Sequence, residues 1–288
     1  MSRQRIGSFL AIAFLTGSAL LAAAPARAIS DQELAAESAQ QFAQMKASMP
    51  LVTDRATIDY IACVANAVVS VLEKPYSDLN WEMAIFDVDA VNAFAMPGGK
   101  IGVMRGILKA AQNQDQLAAV LGHEIAHVTS DHAKERASRG TMSNVGIEVA
   151  AVLLGGGNSG ATYTAYEALN QGAALGIMLP FNRKQESEAD VKGLEYMARA
   201  GFDPRAAVPL WQHMNKVAGD EPAEFLSTHP SNDKRIDSLI SEWPKTLPLY
   251  NEAIADGKKP NCVPPATTPA DNAKSADDTK PADNAKKE

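Results

Sequence analysis

The sequence predicts an α+β protein that is mainly helical and carries one small, mainly antiparallel sheet. Three observations lead there. Apolar residues recur at helical spacing in several long segments. Between residues 81 and 104 that period gives way to short runs rich in aromatic and β-favouring residues. Helix-capping patterns, Gly and Pro punctuate the segments in between.

Taken in order, Ser30-Asp31-Gln32-Glu33 is a capping-box pattern that starts a helix. A second helix is expected over Ala56–Leu72, where Ile58, Ile61, Ala65, Val68 and Leu72 share a face. WEMAIFDV (Trp81–Val88) and VNAFAM (Val91–Met96) read as strands, and Pro97-Gly98-Gly99 turns the chain into KIGVMRG. Asp115 to about Arg136 reads as one long helix, and Arg183–Ala200 as another closed by Gly201. Asp203-Pro204 opens a further helix with its cap and first-turn proline, and Ser231 caps a last one running to about Trp243. The Ala/Gly-rich stretch Gly140–Pro180 reads as core or site-flanking helices, because GGGNSG and polar residues interrupt any membrane span. A lipid- or substrate-contacting surface there, with peripheral membrane contact, stays open as an alternative.

The ends differ from this body. Residues 1–28 combine Arg3 and Arg5, an apolar stretch from Phe9 to Ala24 and the small-x-small ending Ala26-Arg27-Ala28, the pattern of a cleaved secretory signal. Residues 263–288 are almost all Ala, Pro, Asp, Lys, Asn and Thr with PADNAK twice, a low-complexity tail expected to be disordered. Residues 29–262 remain as the folded domain: helices within 30–75, the sheet at about 81–104, the long helices at about 115–136 and 183–200, and closing helices at about 204–243. With the three signal arginines removed, 24 basic residues face 34 acidic ones, a net charge of about −10 that argues against nucleic acid as a partner. Cys63 and Cys262 are the chain's two cysteines, and in an oxidising compartment pairing is their default.

The chemistry concentrates in LGHEIAHV. His123 and His127 lie four apart on one helical face, where both imidazoles can reach one ion, and Glu124 stands beside that ion without ligating it. There it can take a proton from water acidified by a metal, for which one Zn2+ per chain is the best fit. A catalytic site needs a third protein ligand. On a continuous helix His132 faces away from both histidines, which suits a capping or solvent role. In RKQESEADVKGLEYMARAG, Glu186, Ala189, Asp190, Gly193, Leu194 and Met197 share a face, opposite Glu188, Lys192, Glu195 and Arg199. Two carboxylates on an apolar face require a metal or a buried base, so the third ligand is sought on this face, where Glu186 and Asp190 stand. Gly193 allows close approach to the His123–His127 helix.

Four elements in this order, NAFAMPGGKI, VLGHEIAHV, ExEAD and THPSNDKRI, resemble the zinc metallopeptidase (gluzincin) family. That family contains the CAAX prenyl endopeptidases, HtpX and the Oma proteases, and the chain is most similar to its soluble periplasmic branch of the BepA and LoiP kind. The resemblance covers about Asp54–Trp243 and implies a zincin-like fold with the sheet beside the HExxH helix. It also implies Glu186 as third ligand, Asp190 supporting the first histidine, and a substrate peptide aligned along the strand Asn92, Ala93, Phe94, Ala95 and Met96. His229 and Arg235 match positions that polarise the scissile carbonyl or fill the metal's open position. The chain lacks the multi-span membrane portion of the prenyl endopeptidases and the long helical-repeat region of the BepA kind.

The expectation is therefore a zinc-dependent endopeptidase of the bacterial envelope, located in the periplasm and acting on misfolded or misassembled envelope proteins. A chaperone-like or binding module with a self-restrained metal site is the alternative. The oligomeric state is not legible.

Overall fold

The structure is a computed structural model that describes residues 30–138, 181–217, 224–229 and 234–266. The signal-type segment, all of the Gly140–Pro180 stretch, the cap residue Ser231 and the tail after residue 266 lie outside the described residues. No described helix is long and apolar enough to cross a membrane.

Helix α1 (Asp31–Ser48) begins with the predicted capping box, Ser30 and Glu33 each satisfying the other's backbone N–H. Helix α2 (Arg55–Val69) is capped by the Asp54 carboxylate. Strands β1 (Glu82–Phe86), β2 (Ala93–Met96) and β3 (Lys100–Met104) follow, with β3 in the centre. β2 and β3 form an antiparallel hairpin turned by Gly98 and Gly99, both at positive φ. β1 runs parallel to β3, so the sheet is mixed, where the sequence pointed to a mainly antiparallel one. Residues 87–92 contain no tight hairpin turn; they carry the chain past the lane that β3 later takes, leaving β1 and β3 codirectional.

Alternate sheet residues serve two layers, as the period of two requires. Ile85, Ala93, Ile101 and Val103 enter the main core with α2 and the helices beyond it. Ala84, Phe86, Phe94, Met96 and Met104 pack on Phe42 and Met45 of α1. Each large apolar side chain buried this way contributes about 1.5–3 kcal/mol.

Helix α3 (Gln114–Thr129) runs through the middle of the protein, with every residue from Gln116 to Val128 buried. It ends earlier than predicted. Ser130 closes it, Asp131 takes a left-handed φ of 53°, and a separate helix α4 (His132–Ser138) sets off in a new direction. Helix α5 (Arg183–Arg199) packs against α3 at two facing glycines: a Cβ on Gly122 would lie 2.8 Å from the Gly193 carbonyl oxygen, and one on Gly193 2.8 Å from the His123 nitrogen. The expected closure at Gly201 is present, at φ +86°.

After a 3-10 turn at Pro204–Ala206 come α6 (Ala207–Val217), α7 (Glu224–Thr228), α8 (Arg235–Ser241) and α9 (Trp243–Ala255). The single closing helix predicted to stop near Trp243 is thus α8, followed at once by α9. Its two prolines hid α9: Pro244 occupies the first turn, where its missing N–H has no cost, and Pro248 lies inside the helix. Beyond α9 the chain returns to α2, where Cys262 and Cys63 form a disulfide with a Cα–Cα distance of 5.6 Å.

Candidate metal centre

The α3–α5 contact assembles the site. One turn apart on α3, His123 and His127 point to the same side. Asn182 caps α5 through the N–H groups of Lys184 and Gln185, which fixes its first turn and with it Glu186; Asp190 follows one turn later. A carboxylate there also gains from the helix N-terminus. Because the two glycines let the backbones nearly touch, Glu186 reaches both imidazoles, Oε2 lying 3.6 Å from His123 Nε2 and Oε1 3.4 Å from His127 Nε2. The two Nε2 atoms are 3.1 Å apart.

A second set of residues arrives from α7 and α8. The Phe225 N–H donates to the Val91 carbonyl and the Phe181 N–H to the Thr228 carbonyl, which pins α7 between the sheet and the start of α5. His229, at the end of that helix, places Nδ1 3.2 Å from His123 Nε2 and 3.0 Å from Glu186 Oε1. Its ring stacks on Phe225, centroids 4.3 Å apart. Arg235, the first residue of α8, donates to Glu186 Oε2 (3.1 Å) and Asp190 Oδ1 (2.7 Å), and its guanidinium lies 3.4 Å from the Trp211 ring centroid. Asp190 Oδ1 is also 2.9 Å from His123 Nδ1.

His132 stands elsewhere than the sequence placed it. The left-handed turn at Asp131 redirects it beneath α3, where it is 1% exposed and its Nδ1 lies 2.8 Å from His127 Nδ1. Its Nε2 is 3.6 Å from the Glu188 carboxylate, which also pairs with Lys192 at 3.1 Å. Glu188 therefore does lie away from Glu186, yet it meets the metal site through two imidazoles. A helix-wheel extrapolation across residues 130 and 131 could not find this. The signal available was a buried-type histidine five residues past His127, following the turn-prone pair Ser130-Asp131.

Glu124 lies on the sheet side of α3. Its Oε1 is 3.3 Å from His229 Nε2 but accepts no aligned hydrogen bond among the described residues, and the Ala95 N–H points at its carboxylate. Along β2 the Asn92 carbonyl accepts the Met104 N–H inside the sheet, so by alternation Ala93 and Ala95 turn their backbone groups outward along the edge that no other described strand pairs with. Asn92 through Met96 thus border the site, with the Asn92 Oδ1 buried and unpartnered among the described residues. Phe94 and Met96 point away into the α1 layer.

Charge follows burial. Burial pushes the Glu124 carboxyl above the usual carboxylate range, partly opposed by His229 and His123. Burial also holds His127 well below an ordinary histidine, leaving it neutral. At His123 burial lowers the pKa, but the bond to Asp190 and the charge of Glu186 outweigh it and the pKa is raised. Burial works against the ionised Glu186 and Asp190, yet His229, His127 and His123 hold Glu186 far below the usual carboxylate range, and Arg235 and His123 lower Asp190.

The donor set fits a cation. With Asp190 accepting from the His123 Nδ1–H and His132 Nδ1 accepting from the His127 Nδ1–H, both neutral imidazoles can present Nε2 lone pairs inward. Those lone pairs and a carboxylate converge in a buried space, with the ligand atoms of His123, His127, Glu186 and His229 all within 4.8 Å of one another. Acceptors so close repel unless a positive ion lies between them, and two histidines with one carboxylate are a zinc donor set.

The comparisons with known proteins agree with this geometry. The chain is 39% identical over 188 residues to the mitochondrial metalloendopeptidase OMA1 of Schizosaccharomyces pombe, covering 64% of this chain and 52% of that protein. The Arabidopsis thaliana OMA1 is 34% identical over 193 residues, covering 66% and 37%. A beta-barrel assembly-enhancing protease of Yersinia pestis is 31% identical over 199 residues, covering 67% and 40%. The chain spans about half the length of these relatives or less. The profile of peptidase family M48 matches residues 56–242, and since those limits hold every donor described above and most of the chain, the protein belongs to peptidase family M48.

Proposed function

We propose that this protein is a zinc-dependent endopeptidase with His123, His127 and Glu186 as ligands and Glu124 as its general base. The convergence of those three donors beside a buried carboxylate and the β2 edge is the observation that carries the reading. Zinc, when bound, supplies Lewis acidity that acidifies water and polarises a carbonyl. An extended peptide pairs with the outward groups of Ala93 and the carbonyl of Ala95, which lays its scissile bond across the donor cluster. Glu124, its pKa raised by burial, takes the proton of the attacking water and delivers it to the leaving amine. Asp190 and His132 hold the two imidazoles in the ligating tautomer, and Arg235 holds both carboxylates in place.

His229 stands among the donors where a substrate or water would bind, and we assign it a restraint on the resting site. That same contact favours a second reading, a chaperone-like or binding module whose metal site stays closed. The signal-type segment, and relatives that include a beta-barrel assembly-enhancing protease, support a place in the bacterial periplasm and misassembled envelope proteins as substrates. Glu124→Gln tests the leading reading. Zinc should stay near one equivalent by mass spectrometry, while cleavage of an unfolded protein falls by roughly 10²- to 10⁴-fold. Equal cleavage by the variant would overturn it, and no cleavage by the wild type before or after His229→Ala would favour the binding module.

A further inference from the structure

Arg235 fastens Glu186 and Asp190, yet the helix that it starts is a weak support. Helix α8 is 7 residues long and opens without a side-chain cap among the described residues. A helix so short has little stability of its own, so its first residue needs another anchor. The carboxylates hold only the tips of the guanidinium, Nη1 on Glu186 at 3.1 Å and Nη2 on Asp190 at 2.7 Å. Its Nε makes no hydrogen bond among the described residues. The face of the guanidinium, by contrast, lies on the indole of Trp211, 3.4 Å from the ring centroid. Trp211 belongs to α6, which packs against α3, and is 4% exposed. It lies in none of the four sequence elements that carry the family resemblance. The same ring stands edge-on to His123, centroids 6.0 Å apart at 77°, and 5.6 Å from Phe225, on which His229 stacks.

We propose that Trp211 is a positioning residue of the metal centre: its indole face is the platform that keeps Arg235 where it clamps Glu186 and Asp190. The proposal rests on the assignment of Glu186 as a zinc ligand. A guanidinium stacks through its plane and donates through its rim, so one Arg can serve an aromatic face and two carboxylates at once. With plane and rim both engaged, Arg235 has little freedom to turn. Without the indole the guanidinium tilts on its two remaining bonds, and both carboxylates move with it. Glu186 then has to be ordered between the His123 and His127 Nε2 atoms when the metal binds, and Asp190 loosens its hold on His123 Nδ1, 2.9 Å away. Each change lowers zinc affinity, because a ligand that must be oriented at binding costs affinity that a held one does not.

The test is a double-substitution cycle on the full protein, reading zinc affinity by competition with a chromogenic chelator. Trp211→Leu should weaken zinc binding by roughly 10-fold. Trp211→Phe retains an aromatic face and should recover most of that, leaving a loss of about 3-fold or less. Arg235→Lys keeps the charge beside the carboxylates but not the plane, so in that background the loss from Trp211→Leu should shrink below about 3-fold. Equal losses in the two backgrounds would overturn the proposal and make Trp211 a packing residue only, as would unchanged affinity in Trp211→Leu. Should Trp211→Leu not fold, Trp211→Phe carries the same cycle, its smaller loss vanishing beside Arg235→Lys. These outcomes leave the ligand assignment standing. Zinc retained by Glu186→Ala would overturn that assignment and the proposal with it.

Discussion

The metal centre has two halves built in different ways. Its first half, on α3 and α5, follows from regular helix geometry: four-residue spacing sets His123 against His127 and Glu186 against Asp190, and two glycines set the distance between them. Its second half comes through irregular chain. A single left-handed residue, Asp131, delivers His132, while α7 is held over the site by two backbone hydrogen bonds and presents His229. Regular segments place donors by periodicity, whereas irregular ones bring in the groups packed against those donors.

Altering the regular half should produce the largest effect. Glu186→Ala removes the proposed third ligand and leaves Arg235 beside an emptied position, so zinc should be lost in dialysis that wild type survives, with cleavage reduced by orders of magnitude. Zinc retained near one equivalent would move the third ligand elsewhere. In the irregular half, His132→Phe keeps the volume but frees the His127 tautomer. Zinc affinity, followed by competition with a chromogenic chelator, should weaken by roughly 10- to 100-fold. An unchanged constant would make His132 a core residue only.

Helix spacing is the next lever. Gly193→Ala forces the α3 and α5 backbones apart at a Cβ contact of 2.8 Å and should cost about 1–3 kcal/mol, roughly 3–10 °C in melting temperature, with weaker zinc binding. A melting temperature equal to wild type would mean the helices yield without cost. The pH dependence of kcat/KM then probes Glu124. The base must be ionised to act, so rate rises as pH rises through its pKa, and burial should put that acid limb above the ordinary glutamate value of about 4.3. A limb at or below that value would contradict the buried-base assignment. Smallest of all is Glu188→Ala. Its carboxylate is half-exposed and acts on zinc through two imidazoles, so a few-fold weakening is expected, less than for His132→Phe. A loss as large as that of Glu186→Ala would reverse the order of the two halves.

Much of this was legible along the chain. The capping box at Ser30, the Gly98-Gly99 hairpin, the Gly201 stop and the shared face of Glu186 and Asp190 are local patterns whose physics operates within one or two turns. Where the reading failed, the cause was a local signal answered by distant packing. His132 was carried around a helix that had already ended, α9 was hidden by prolines its first turns accommodate, and the direction of β1 depended on the lane later taken by β3.

The amino-acid sequence by itself singled out the residues proposed to bind a metal and activate water, because imidazole spacing and carboxylate faces are properties of a single helix. It also held the cysteine pair, once export is taken as its context. Only the tertiary structure decided that His132 braces His127, that Arg235 is engaged by two carboxylates, that the Ala95 N–H meets Glu124, and that the Trp211 ring lies against Arg235. Each of these joins segments far apart in the chain, and such contacts are set by how helices and strands share buried space, which no local period encodes.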